Sequence, residues 1–91
     1  MIKSFRHKGL AQLYNENNPS GVRRDLVKRC LRRLAVLHNA DSLEDLAIPG
    51  FNFHVLHGKP KRCSIHVSGP WCITFEWLDG DAWRVDLEQY H

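Results

Sequence analysis

The spacing of apolar residues changes near Phe51, and this change constrains the fold more than any other feature of the chain. Before Phe51, apolar residues recur every three or four positions, which predicts amphipathic helices. After Phe51, apolar and polar residues alternate, which predicts strands with one buried face. Helices followed by a run of strands predict an α+β fold with an antiparallel meander. Because 91 residues allow one small core, we expect residues 1–91 to form a single domain.

Two helices are predicted in the first half of the chain. The segment from Lys8 to Tyr14 has helical spacing and ends at the polar segment 15–21. Ser20 is the predicted N-cap of a second helix that runs to about His38. The apolar stripe of this helix consists of Val22, Leu26, Cys30, Leu34 and Leu37.

Strands are predicted over 1–5, from Phe51 onward, over 62–68, over 71–77 and over 83–90. Phe51, Phe53 and Val55 share one face of the first strand of the meander. Asp79-Gly80 predicts a tight hairpin before the last strand. Alternation on that last strand predicts one face made of Trp83, Val85, Leu87 and Gln89.

Composition favours a cytoplasmic protein with an anionic partner. The chain has no apolar run of the ~20 residues that span a bilayer, and its first six residues lack the apolar stretch of a signal peptide. We therefore expect no membrane contact. The formal charge of +3 favours a negatively charged partner. The three cysteines form no CxxC pair and are predicted to be small apolar fillers.

A basic face opposes the apolar stripe of the long helix. It has two interpretations: contact with RNA or a partner protein, or a solvated outer surface. Its members include Arg29 and Arg33. A metal site is not expected, because His54 and His57 have an odd offset and would point to opposite faces of a regular strand. No cofactor is expected either.

The chain ends on Gln89-Tyr90-His91, directly after the last predicted strand. Histidine donates or accepts a proton near neutral pH without a specialised environment. A histidine and a tyrosine at the end of a rigid sheet, on a basic protein, indicate chemistry on a phosphodiester. The alternative is a frayed and inert terminus.

Several blocks of the sequence resemble one protein family. They are the opening Met1-Ile-Lys-Ser-Phe-Arg-His-Lys-Gly-Leu10, Pro49-Gly-Phe-Asn-Phe-His-Val-Leu56, Cys63-Ser-Ile-His-Val67, Trp71-Cys-Ile-Thr-Phe75, Asp79-Gly-Asp-Ala82 and Tyr90-His91. Together they resemble the HigB-type toxins of the RelE/ParE superfamily, from bacterial type II toxin–antitoxin systems. The resemblance implies two N-terminal helices packed on a small curved antiparallel sheet.

The resemblance also implies a function, which is ribosome-dependent cleavage of messenger RNA. The implied partners are the ribosome, messenger RNA and a helix-turn-helix antitoxin of the HigA type, with operator DNA bound only through the antitoxin. Tyr90 and His91 match the family's catalytic ending, and His54 matches a further site position. His91 is the expected acid/base residue, and Tyr90 is expected to stack on a base or bind the phosphate.

Three positions depart from the family pattern. Many relatives carry a lysine at the position of His57, an arginine at that of Cys72 and an aspartate at that of Gln89. A protonated His57 can replace the lysine in part, so it is kept as a catalytic candidate, but a thiol cannot replace the fork of an arginine. Lys59, Lys61 and Arg62 are predicted to supply the RNA-binding charge instead.

Two alternatives remain open from sequence. The missing cations allow a non-catalytic or weakened module that binds the ribosome or an antitoxin without cutting. The ParE branch, whose target is DNA gyrase, is disfavoured by the Tyr90-His91 ending. Asp86 and Glu88 could act as general bases, although a solvated edge paired with Arg84 is the simpler expectation.

Overall fold

The computed structural model describes residues 1–89, so Tyr90 and His91 lie outside the described residues. Two α-helices precede four strands, which confirms the predicted α+β class. The elements are α1 (Lys8–Glu16), α2 (Val27–Asn39), β1 (His54–Leu56), β2 (Arg62–Ser68), β3 (Trp71–Leu78) and β4 (Asp81–Gln89). Short 3₁₀ turns cover Arg24–Leu26 and Leu43–Leu46. No helix within residues 1–89 is long and apolar enough to cross a membrane.

The four strands form one antiparallel sheet in the order β1-β2-β3-β4. Asp79 and Gly80 join β3 to β4, and both have positive φ angles, 55° and 79°. That combination is typical of a type I′ turn, whose twist matches the twist of the flanking strands. The predicted hairpin is therefore confirmed, and it sets the register of the last two strands.

The core lies between the helices and one face of the sheet. The predicted apolar stripe is buried throughout, from Val22 at 7% exposure to Leu37 at 0%, although Val22 and Leu26 precede α2. It packs on side chains of β2, β3 and β4 that include Ile65, Phe75 and Val85. Burial raises the pKa of the Cys30 thiol in this core to about 11, so this cysteine is an inert apolar filler at neutral pH.

The N-terminal segment lies along β4 but is not a full strand. Ile2 and Phe5 form isolated parallel bridges to Ala82 and Val85, where an edge strand over 1–5 was predicted. The amide N–H of Ile2 also donates to Nδ1 of His38, at 3.2 Å, which ties the segment to the end of α2. The N-terminal segment thus covers the outer edge of β4.

The prediction that Ser20 caps the long helix is wrong. α2 begins at Val27 instead, after a 3₁₀ turn. The reason is a close backbone approach, because a Cβ on Gly9 would lie 2.2 Å from the carbonyl oxygen of Gly21. The chain after Ser20 is held against α1 and buries Val22 before the helix begins.

The first strand of the meander is shorter than the alternation predicted. β1 contains three residues, and Phe51 and Phe53 precede it. Phe51 is buried, and Val55 pairs with the buried Cys63, so Val55 lies on the helix side of the sheet as predicted but is 47% exposed. β1 is the edge strand of the sheet, where less of the core is available to cover a side chain.

A β-bulge in β4 changes which residues face the core. Glu76 pairs with Trp83 and Thr74 pairs with Asp86, so one residue of β3 opposes two residues of β4. Ala82, Val85 and Leu87 are buried, whereas Trp83 is 37% exposed. The predicted face containing Trp83 with Val85 and Leu87 is therefore wrong, because an extra residue reverses the alternation.

Candidate active site

The sheet face that points away from the helices carries most of the polar side chains that the sequence singled out. We call it the open face. Strand register aligns its residues in three rows across the sheet. The rows are His54, Ser64, Thr74 and Asp86; Leu56, Arg62, Glu76 and Trp83; and His66, Cys72 and Glu88.

An arginine, a threonine and a glutamate form a hydrogen-bonded cluster at the middle of the open face. Nη2 of Arg62 donates to Oγ1 of Thr74 and to Oε2 of Glu88, both at 2.8 Å. The Thr74 hydroxyl donates to the same Glu88 oxygen at 2.9 Å. Arg62 is therefore held over the sheet from β2 to β4. A guanidinium in this position offers positive charge to an anion on the open face.

The two carboxylates at the end of β4 have different environments. Burial raises the pKa of Glu88, but hydrogen bonds from Thr74 and Arg62 outweigh it and hold that pKa below its ordinary value. Burial raises the pKa of Asp86, and the charge of Glu88 raises it further. Nε of Arg6 lies 3.9 Å from Asp86, a loose ion pair. Glu88 is thus an anchor for Arg62 rather than a solvated edge residue paired with Arg84.

His54 and His57 lie at the margin of the open face. His54 begins β1 and is exposed, in the same row as Asp86 but three strands away. Three strand spacings correspond to about 14 Å between their backbones. His57, Lys59 and Lys61 are exposed in the loop between β1 and β2. This loop leads directly into Arg62, so its charges flank the cluster.

The C-terminal end of β4 lies beside the start of β3. Gln89 pairs with Trp71 and is exposed. The chain therefore leaves the described residues close to the row of Cys72 and Glu88. The predicted catalytic residues Tyr90 and His91 follow Gln89 and lie outside the described residues.

Cys72 is the position where the family resemblance predicted an arginine. It lies on the open face between His66 and Glu88 in its row. Burial raises the pKa of its thiol, and the charge of Glu88 adds to the effect, so it stays neutral and unreactive at pH 7. Arg62, on the neighbouring strand, supplies a guanidinium on the same face.

The two arginines predicted to bind RNA from the long helix differ in environment. Arg29 is exposed and lines a groove of about 560 Å³ with Lys28 and Arg32. Arg33 is only 8% exposed. Its Nε donates to the His66 carbonyl. Its guanidinium also lies 4.7 Å from the centre of the Phe51 ring. Arg33 therefore links α2 to the sheet through these two contacts.

The roles of two residues on the open face are not visible in the sequence. Thr74 looked like an ordinary alternating residue, and nothing in the sequence indicates that its hydroxyl bridges Arg62 and Glu88. Trp83 was placed on the core face because the bulge is not visible in the alternation. The sequence signal that indicates the outward position of Trp83 is the preceding Ala82, a small residue that can be buried in its place. Trp71 and Trp77 are packed against the core.

Comparisons with known proteins agree with this fold. Residues 3–91 match the family described as the RelE-like toxin of type II toxin-antitoxin system HigB. The chain is 38% identical over 92 residues to "Endoribonuclease HigB" of Proteus vulgaris, covering all of both chains. It is 32% identical over 93 residues to "Toxin HigB-1" of Vibrio cholerae serotype O1, covering 99% of this chain and 98% of the other. The chain therefore belongs to the HigB family of RelE-like toxins.

Proposed function

We propose that this protein is a ribosome-dependent endoribonuclease that cleaves messenger RNA and thereby inhibits translation. The observation that carries the proposal is the full-length similarity to a protein named an endoribonuclease. The open face supports it, because a guanidinium there is held beside the end of β4, where the chain continues into Tyr90-His91. Residues 1–91 act as one domain in this proposal.

The proposed chemistry is metal-independent transfer at phosphorus. The 2′-hydroxyl attacks the adjacent phosphate in line, a base removes its proton, and an acid protonates the leaving 5′-oxygen. We assign the acid/base role to His91 and keep His54, on β1, as a second catalytic candidate. Tyr90 binds the phosphate or stacks on a base. Arg62 stabilises the charge on the phosphate, as His57 does when protonated.

Contact with the RNA backbone is assigned to exposed cations on two sides of the sheet. Lys59 and Lys61 extend the charge of Arg62 along the loop before β2. Arg29 lines the basic groove beside α2. Arg33 is assigned a positioning role instead, because its guanidinium is buried against Phe51. Each exposed cation that neutralises a phosphate should add to the salt dependence of binding.

Membership of this toxin family implies an antitoxin as partner. We propose a helix-turn-helix antitoxin of the HigA type, which binds operator DNA and brings the toxin to it. We also propose that the protein acts in the cytoplasm, where messenger RNA and ribosomes are its targets.

A second candidate function is favoured by His57 and Cys72. In that function the chain binds the ribosome or the antitoxin without cutting RNA, because two expected cations are absent. The position of Arg62 weakens this alternative, since a guanidinium is present on the same face. The two functions differ in whether translated messages are broken.

Primer extension on messages from cells that express the chain tests the proposal. Discrete breaks within reading frames are expected, and the His91→Ala variant should give none while folding normally. Glu16→Ala, at the exposed end of α1, serves as a control for expression level and should leave the breaks unchanged.

Blocked translation with intact messages in the unaltered protein would favour the second function. Full cleavage by the His91→Ala variant would remove the assignment of His91 but not the endoribonuclease activity.

A further inference from the structure

We propose that the indole of Trp83 is a stacking platform for a nucleobase of single-stranded RNA on the open face. The choice of RNA as ligand rests on the proposed function. Trp83 is not among the residues that the resemblance assigns to the site. The inference comes from its position, which the bulge in β4 determines.

The bulge turns Trp83 from the core to the open face. β4 places two residues, Arg84 and Val85, opposite the single residue of β3 that lies between Thr74 and Glu76. Arg84 adopts a left-handed backbone conformation in the bulge, with a φ angle of 51°. Its amide N–H donates to Oγ of Ser4 at 2.8 Å, which fixes the bulge against the N-terminal segment. Bulges of this kind re-aim side chains beside functional sites.

The indole is exposed in a way that core packing does not explain. Trp83 is 37% exposed, whereas Trp71 and Trp77 pack against the core on the other face. A flat aromatic ring on a sheet, open on one side, is the geometry on which bases stack in single-stranded RNA recognition. Every base has such a face, so this contact requires no particular sequence.

The charges around Trp83 fit a phosphate backbone beside it. Arg62 lies in the same row, two strands away, which corresponds to about 10 Å between backbones. The carboxylates nearby each have a cationic neighbour. Glu88 pairs with Arg62 at 2.8 Å, and Glu76 lies 3.7 Å from Arg84. Asp86, on the same face, lies 3.9 Å from Nε of Arg6. Each of the three carboxylates on this part of the open face thus has an arginine within 4 Å.

The position also favours RNA over an antitoxin as the occupant. Trp83 shares the open face with Arg62 and His54, the residues proposed to meet the substrate. The backbone of an RNA strand with one base stacked on Trp83 could extend across the sheet to Arg62. Docking of an antitoxin on Trp83 is treated as the competing outcome of the test.

Binding of a fluorescently labelled 2′-O-methyl oligoribonucleotide tests the proposal, because such RNA cannot be cleaved through its 2′-oxygen. Fluorescence anisotropy should show Trp83→Ala binding about 5- to 150-fold more weakly than the unaltered protein, the range expected for loss of one stacked base. Trp83→Phe keeps an aromatic face and should recover most of the affinity. Val55→Ala removes an exposed apolar side chain from the opposite sheet face and should bind normally.

Tryptophan emission gives a second measurement on the same complex. RNA should quench the emission of the unaltered protein, and Trp83→Phe should lose most of that quenching, since Trp71 and Trp77 lie on the helix side of the sheet. No binding of the oligoribonucleotide by the unaltered protein, or equal affinity of Trp83→Ala, would overturn the proposal. Loss of antitoxin binding in Trp83→Ala with unchanged RNA affinity would overturn it in favour of antitoxin docking.

These outcomes are separable from the proposed nuclease. Cleavage of translated messages with no effect of Trp83→Ala on RNA affinity would leave the nuclease standing and reject the stacking platform. RNA binding that depends on Trp83, without any cleavage of messages, would support the stacking platform and reject the nuclease.

Discussion

Nη2 of Arg62 lies 2.8 Å from Oε2 of Glu88, so an ion pair spans the open face of the sheet from β2 to β4. The hydroxyl of Thr74, on β3 between them, bonds to both groups. Three neighbouring strands therefore contribute to one cluster. The cluster holds a guanidinium on the same face as Cys72, the position on β3 where the family resemblance predicted an arginine.

The first prediction concerns the charge of Arg62. Arg62→Gln should lower the rate of message cleavage by about 100-fold, because loss of a donor that stabilises transition-state charge typically has this effect. Arg62→Lys should recover only part of the rate, since an ammonium lacks the planar fork. Cleavage by purified protein on translating ribosomes gives the measurement, with Lys3→Gln, an exposed position in the N-terminal segment, as control. A rate for Arg62→Gln equal to that of the control would show that Arg62 does not meet the phosphate.

The second prediction concerns stability in acid. The pKa of Glu88 is lowered in the folded protein, and that of an unfolded glutamate is about 4.3. Glu88 therefore contributes stability that is fully present above about pH 4.3 and is lost as pH falls through its folded pKa. In the Glu88→Gln variant, the free energy of unfolding measured in urea should change less with pH between pH 7 and about pH 3.

Asp86 supplies a control of opposite sign. Its pKa is raised in the folded protein, so protonation of Asp86 favours folding as pH falls through its folded pKa. Asp86→Asn should therefore steepen the loss of stability in acid. The same slope for both variants would contradict the assigned environments.

The third prediction separates Arg33 from Arg29. Arg33→Ala should lower the free energy of unfolding by about 1.5–3 kcal/mol. The change removes the hydrogen bond from the buried guanidinium to the His66 carbonyl and leaves that carbonyl without this donor. Arg29→Ala should change stability by less than about 0.5 kcal/mol, since its side chain is exposed. Urea denaturation measures both. RNA binding should depend more on Arg29 than on Arg33. Arg29→Ala should lower the salt dependence of the affinity by the amount expected for the loss of about one phosphate contact.

The fourth prediction concerns Gly9, within α1. A glycine-to-alanine change in a helix normally stabilises by up to about 1 kcal/mol. Here the new Cβ would lie 2.2 Å from the Gly21 carbonyl oxygen and 2.9 Å from Cε1 of His7. Overpacking of this kind should outweigh the helix preference, with a net loss of about 1–3 kcal/mol. Thermal unfolding measures the change, and Lys8→Ala, exposed in the same helix turn, should show no such loss. A stabilised Gly9→Ala variant would mean that the loop before α2 can move away from α1.

Part of the candidate site was predictable from the order of residues alone. Lys59, Lys61 and Arg62 form one basic run, so their shared position beside the sheet follows from the hairpin that contains them. Cys72 and Thr74 are two positions apart in the strand predicted over 71–77, so alternation alone places them on one face of the sheet. Neither pattern reveals that Arg62 meets Glu88, because the two residues are 26 positions apart and only the register of three strands brings them together.

By itself the sequence determined the fold class, the buried stripe of α2 and the hairpin at Asp79-Gly80. These features depend on local periodicity and turn preferences, which act over a few neighbouring residues. Only the tertiary structure decided that Arg33 is buried, that α2 begins after Ser20 rather than at it, and that Trp83 faces outward. Each of these depends on contacts between segments distant along the chain, namely Arg33 with the β2 backbone and the N-terminal segment with the bulge in β4. Periodicity records the average environment of a strand or helix, whereas one extra residue in a sheet or one close backbone approach changes that environment locally.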